Sequence, residues 1–231
     1  GCRHVATHQF DRRGQRLSGS ALAAGSLSAS IGCSVGAAPF AAALGEDAAQ
    51  FKCPLLGGDT VSTPGPLMVS VTAFGRVPPG QMVHRSGAKP GDRVMVTGTI
   101  GDAALGLAIL KGGKIHAATT DTAARETLVG RYRVPQPRVA MAEIVRAHAS
   151  AAMDVSDGLA GDLTKLCGVS GVSAAIDLPS IPLSDAAKDL VSRGIVGTET
   201  LIAGGDDYEI LCTIAEDRVE AGWKGLRDRL R

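Results

Sequence analysis

The pattern of apolar and polar positions changes character near Phe51. Upstream of Ala41 the chain shows little helical or strand period, and no acidic residue falls between Arg12 and Gly45. Downstream, Pro54-Leu55-Leu56 is a short apolar run that ends in Gly57-Gly58-Asp59-Thr60, and residues 67–74 mix apolar side chains with Ser and Thr. Such a composition favours a pleated, half-buried strand, so two strands are expected, with a functional turn between them. Pro78-Pro79-Gly80 marks a break, and residues 88–92 form a turn into a third strand at 93–97. Gly98 to Asp102 then opens a helix over about 103–111, where Leu105, Ala108 and Ile109 share one face. The helical period returns over 139–149, residues 151–155 read as a buried strand, and Asp157-Gly158-Leu159 starts a helix that runs to about 166. Strands at 174–178 and 209–214 complete the series. This mixture predicts an α/β or α+β fold with a boundary between two subdomains near residue 80.

Composition narrows the function classes. The 231 residues include 24 Lys+Arg and 23 Asp+Glu, a formal charge of +1, so bulk electrostatics draws the chain neither to nucleic acid nor to an anionic membrane. Aromatic residues are 3% of the chain while Gly numbers 30, which disfavours base-stacking platforms and favours tight turns and backbone close to a small ligand. The cysteines (2, 33, 53, 167 and 212) are odd in number and lack a C-x-x-C pair, so neither a disulfide framework nor a zinc site is expected and a cytoplasmic setting is the simple reading. Residues 21–45 are apolar but built from Ala, Gly and Ser with Pro39 inside, which argues against a membrane span. Residues 1–20 are basic, with Asp11 their only acid, and read as a tail or as a transit peptide.

Several carboxylates fall where an apolar run meets glycine: Leu55-Leu56-Gly57-Gly58-Asp59, Met153-Asp154-Val155-Ser156-Asp157-Gly158 and Ala203-Gly204-Gly205-Asp206-Asp207-Tyr208-Glu209. Carboxylates on one rim of a sheet repel each other unless a cation neutralises them, and hard oxygen ligands of this kind suit magnesium shared with phosphate groups. Asp and Gly are also ordinary turn formers, and Ser156 has an equally good role as a helix N-cap. Free amides at a helix start would in addition bind phosphate. Arg85 is either a solvated strand-end charge or a phosphate contact. Neither G-x-G-x-x-G nor G-x-x-x-x-G-K-[ST] is present, and His84, His116 and His148 stand without catalytic partners.

Taken in order, Gly57-Gly58-Asp59-Thr60, Arg85-Ser86-Gly87-Ala88-Lys89-Pro90-Gly91-Asp92, Thr97 to Asp102, Met153 to Leu159 and Gly204 to Glu209 resemble the thiamine-monophosphate kinase family over about residues 51–218. The resemblance implies the two-domain fold shared with aminoimidazole ribonucleotide synthetases and selenophosphate synthetases, incomplete here at both ends. Residues 1–50 are then an atypical N-terminal segment, 51–80 the rest of an ATP- and magnesium-binding domain, 81–220 a shortened C-terminal domain and 221–231 an atypical tail. It also implies ATP-dependent phosphorylation of thiamine monophosphate to thiamine diphosphate in a homodimer, without nucleic acid or membrane. By matching position, Asp59, Asp154 and Asp157 ligate Mg2+, Gly58, Asp59, Arg85 and Ser156 contact ATP, and Asp206 faces the substrate. No residue is assigned as a catalytic acid, base or nucleophile. The early acidic motifs of the family are missing from residues 1–50, so the alternative is a non-catalytic nucleotide-binding remnant or another ATP-dependent relative.

Overall fold

The computed structural model describes residues 5–6, 24–30, 37–61, 64 and 68–220, and divides the chain into two compact units, Gly1–Met82 and Val83–Arg231. Apart from residues 5–6, the basic stretch 1–20, and with it the tail at 221–231, lies outside the described residues.

The first unit contains a four-stranded sheet in the order β1 (Val5–Ala6), β4 (Met68–Phe74), β2 (Ala24–Ser30), β3 (Leu55–Val61), and a helix α1 (Ala37–Gln50). Strand β2 pairs antiparallel with β4 and parallel with β3. Two expectations are corrected. Residues 24–30 form a strand and helix α1 starts at Ala37, although the sequence shows little period upstream of Ala41; the strand is built almost wholly from Ala, Gly and Ser and carries no contrast between inward and outward positions. Gly57-Gly58-Asp59-Thr60 is not a turn but the middle of β3, where Gly58 faces Leu27 and Asp59 faces Ser28 across the ladder. Turn chemistry read locally loses to a strand partner that the sequence conceals.

The second unit is built on an antiparallel sheet in the order β5 (Arg93–Val96), β7 (Glu209–Ile214), β6 (Ala149–Val155). Val96 and Met153 both face Leu211, and Val155 faces Glu209, so the C-terminal ends of β5 and β6 flank the start of β7. Ala151, Met153 and Val155 alternate inward and share one core cluster with Leu159, Leu163 and Leu166 of α6 (Leu159–Ser170). A second cluster joins Leu105 and Ile109 of α2 (Asp102–Lys111), Leu128 of α4 (Thr122–Arg133), Leu190 of α7 (Asp185–Ser192) and Leu201 of α8 (Thr198–Ile202). Helices α2 and α4 meet at Gly106, where a Cβ would lie 2.1 Å from the Leu128 carbonyl oxygen. The short α3 (Lys114–Ala118) links them.

The expected helix at 139–149 is a 3-10 turn (Val139–Met141) followed by α5 (Ala142–His148), with Ala149 already in β6. The expected strand at 174–178 does not form. Residues 172–177 carry no regular structure, and Ile176 and Leu178 pack on the first core cluster without entering the ladder. A short apolar run signals burial, and it does not specify a hydrogen-bonding partner. No helix among the described residues is long and apolar enough to cross a membrane.

Candidate active site

Three motif loops meet at one end of the second unit's sheet. The loop after β5 leads through Gly98 to Asp102, the loop after β6 holds Ser156, Asp157 and Gly158, and the loop before β7 holds residues 204–208. The antiparallel register makes this convergence unavoidable, since two strands end where the central one begins. The last two loops are stitched together: the Asp206 amide donates to the Ser156 carbonyl at 2.9 Å and the Tyr208 amide to the Val155 carbonyl at 2.8 Å. Asp206 and Tyr208 adopt left-handed backbone conformations, with φ of 70° and 51°. Such conformations in non-glycine residues cost energy and persist where the surroundings over-determine them.

The carboxylates on this rim divide by exposure and task. Asp154 and Asp157 are exposed and Asp206 is half-buried, whereas Asp102, Asp162, Asp207 and Glu209 are buried. Asp102 accepts from the Thr99 hydroxyl at 2.5 Å and the Ser184 hydroxyl at 2.6 Å. Asp162 accepts the amides of both Ser156 and Asp157 at 2.9 Å. Asp207 accepts the Gly101 amide at 2.7 Å and the Ala103 amide at 3.1 Å, tying the third loop to the first. Glu209 receives Thr97 at 2.6 Å, Arg131 at 2.7 Å and Arg138 through Nε at 2.7 Å, with a second contact from the same guanidinium. These four acids build the rim. Asp154, Asp157 and Asp206 are the less buried acids of this rim.

Basic side chains meet two of those three. Arg85 approaches Asp154 at 3.9 Å, and Lys165 of α6 pairs with Asp157, holding that carboxyl below its ordinary range. Burial raises the Tyr208 phenol, and the charges of Asp206, Asp154 and Asp157, with a hydrogen bond to Asp206, raise it further. The structure therefore brings Arg85, Asp154, Ser156, Asp157 and Asp206 to one rim of the second unit. Gly58 and Asp59 belong to β3 of the first unit, where Asp59 accepts the Thr60 amide at 2.8 Å. Ser156 is not the N-cap: Gly158 occupies that position without a side-chain cap, and the amides of Ser156 and Asp157 are taken by Asp162 rather than left for phosphate. Asp162, Lys165, Arg131 and Arg138 escape the sequence reading. The acid in the first turn of α6 is the one signal that was present for Asp162.

Asp207 carries a pH-dependent part of stability. Burial raises its carboxyl from 3.8 to about 6, with a further push from Asp102, while the Gly101 and Ala103 amides and Arg131 oppose the rise. An acid with a raised pKa holds its proton more tightly in the folded state, so its stabilising contribution is complete below 3.8 and is lost as pH climbs through about 6. Asp207→Asn, uncharged throughout, is expected to remove a slope of at most about 3 kcal/mol between these limits. Urea unfolding of both proteins at a series of pH values checks this, and parallel profiles would contradict it.

Residues 89–222 match the family AIR synthase related protein, C-terminal domain. The thiamine-monophosphate kinase of Caulobacter vibrioides is 47% identical over 178 residues, which cover 76% of this chain and 49% of that protein. The chain thus spans about half the length of the curated relatives it matches. The crystal structure of thiamine-monophosphate kinase from Stenotrophomonas maltophilia K279a superposes with a TM-score of 0.78 at 37% identity, covering 91% of this chain and 66% of that one. A second solved structure, AaThiL complexed with AMPPCP and TMP, gives a TM-score of 0.75 at 28% identity over 86% of this chain and 63% of that one. The mixed α/β architecture, the ordered motifs and these likenesses agree, and the chain belongs to the thiamine-monophosphate kinase family of the AIR synthase-related superfamily.

Proposed function

We propose that this chain carries the nucleotide and substrate rim of a thiamine-monophosphate kinase, which transfers the γ-phosphoryl group of ATP to thiamine monophosphate and yields thiamine diphosphate and ADP. The observation that carries the reading is the convergence of Asp154, Asp157 and Asp206 at one sheet end, in a chain of this family. In the transfer, the bond from the γ-phosphorus to the bridging oxygen of ATP breaks and a bond to a phosphate oxygen of the acceptor forms. Two anionic reactants must approach one another, so alignment and charge neutralisation do most of the work. Arg85 supplies a guanidinium beside the rim for phosphate oxygens, and Asp206 offers a negative charge to the cationic ring of thiamine. Ser156 presents its hydroxyl from the loop that Asp162 fixes.

Asp59, Asp154 and Asp157 are proposed as magnesium ligands and Gly58 as a backbone approach to the nucleotide. Among the described residues no group of three or more His, Cys, Asp or Glu forms a metal cage. Within the second unit, Asp154 and Asp157 still fit the ion, because magnesium is commonly held by one or two carboxylates together with waters and substrate phosphates. Bound there, it would neutralise charge on the phosphate oxygens. A homodimer is proposed through the first unit, where β3 lies at the edge of the described sheet and exposes Leu55 and Leu56. The free thiols Cys53, Cys167 and Cys212 suit a reducing cytoplasm.

The expected result is magnesium-dependent ATP binding that Asp154→Asn weakens at least tenfold, measured by calorimetry with and without the metal, with thiamine diphosphate detected from ATP and thiamine monophosphate. ATP affinity independent of magnesium and unaffected by Asp154→Asn would overturn the cation-bridged site. Turnover of a different acceptor, with thiamine monophosphate untouched, would overturn the substrate.

A further inference from the structure

Lys165 lies on α6 three residues after Asp162 and touches two carboxylates, pairing with Asp157 and with Asp162, the latter at 2.9 Å. The two acids are unequal. The Asp162 side chain is 1% exposed and already holds two backbone amides, whereas that of Asp157 is 70% exposed and has Lys165 as its one partner among the described residues. Arg85 stands in the same relation to Asp154 at 3.9 Å. Both carboxylates of the second unit proposed as cation ligands are therefore met by a positive side chain of their own unit.

We infer that Lys165 is a built-in counter-ion for Asp157, which an incoming divalent cation displaces while Asp162 retains the ammonium group at the rim. The inference rests on the reading of Asp157 as a metal ligand. Asp154, Asp157 and Asp206 repel one another across the rim, and an adjacent ammonium lowers that repulsion when no metal is bound. A lysine is suited to the exchange, since its charge is a compact, strongly hydrated point on a flexible stem, unlike a planar guanidinium locked in a fork. Displacement from Asp157 breaks only an exposed ion pair, of the kind that contributes little to stability. Its second partner does not leave: Asp162 is buried and fixed, so the freed positive charge stays beside the place where phosphates arrive. Lys165 thus acts as a positioning residue that orients Asp157 before binding and restrains the charge afterwards.

The exchange predicts that the metal binds more tightly when its competitor is removed. Manganese binding to the whole chain without nucleotide, followed by electron paramagnetic resonance, is expected to tighten roughly 1.5- to 5-fold in Lys165→Met, the range an exposed ion pair supports. Lys188→Met, whose partner is Asp185 on α7, is expected to leave the affinity unchanged. In the unmodified chain, the side-chain ammonium resonance of Lys165 should move on addition of Mg2+, a readout that does not depend on a variant folding. Equal manganese affinities in Lys165→Met and the parent chain, or a Lys165 resonance that stays fixed while the cation binds, would overturn the exchange and leave the metal site standing. Manganese binding untouched by Asp157→Asn, or absent altogether, would overturn the metal reading and the exchange with it.

Discussion

Glu209→Ala is expected to lower the stability of the second unit by about 3–5 kcal/mol, the usual cost of removing one partner from a buried charged network. The Glu209 side chain is 0% exposed and receives Arg131, Arg138 and the Thr97 hydroxyl. Truncation leaves two guanidinium groups, with side chains only 15% and 23% exposed, facing no carboxylate there. The loss also reaches the site, because Arg131 donates to the Asp207 carbonyl at 3.3 Å and the Thr97 hydroxyl accepts the Ile210 amide at 2.8 Å. At roughly 2–4 °C per kcal/mol for a chain of this size, the melting temperature should fall by about 6–20 °C. Urea unfolding of the two proteins tests the size of the effect. A loss below about 1 kcal/mol would mean that solvent or rearranged acids satisfy both arginines.

Gly158→Ala is expected to damage both folding and activity. Gly158 has φ of 105°, and a Cβ there would lie 2.8 Å from the Ala203 carbonyl carbon and 2.9 Å from the carbonyl oxygens of Ala203 and Gly204. All three atoms are backbone, so no side chain can rotate aside. Left-handed strain and overpacking each contribute about 1–3 kcal/mol. Relief requires the loop after β6 to move away from the loop before β7, which breaks the amide links that hold Asp206 and Tyr208. A displacement of about 1 Å in a positioning element can cost roughly a hundredfold in rate. Thiamine diphosphate formation should fall by that order in Gly158→Ala. Gly161→Ala, where the new methyl meets nothing within 4 Å, should retain activity and gain helix stability. Full activity in Gly158→Ala would show that the two loops need not touch for catalysis.

The second unit's sheet was legible because β6 and β7 are short, largely apolar runs that the core buries: 209–214 matches β7 to the residue, and Ala151, Met153 and Val155 lie in the first core cluster. Helices α4 and α7 are less visible, since α4 buries Leu128 alone and α7 is short and charged. The first unit resisted for a chemical reason. Strand β2 is written almost wholly in Ala, Gly and Ser, so the ladder that turns Gly57-Gly58-Asp59-Thr60 into strand leaves no periodic trace. At the second unit's rim, turn glycines and acids marked two of the loops that meet there but did not separate buried acids from exposed ones. Asp207 and Glu209 stand within three residues of Asp206, and only burial distinguishes them. Lys165 was silent because an ammonium on an amphipathic helix looks like any solvated charge until its two partners are placed around it.

The occupied amides of the rim bear on which anions it can admit. The Ser156 and Asp157 amides are committed to Asp162, and those of Asp206 and Tyr208 to neighbouring carbonyls, so these four main-chain donors are not open to a bare oxyanion. The exposed groups left there are mostly negative. Sulfate or inorganic phosphate arriving alone meets repulsion at these loops, whereas a polyphosphate chelating its own cation presents the opposite sign to the same carboxylates. With the cation proposed above bound at this rim, the same surface is expected to favour the metal complex of a nucleotide over its free form.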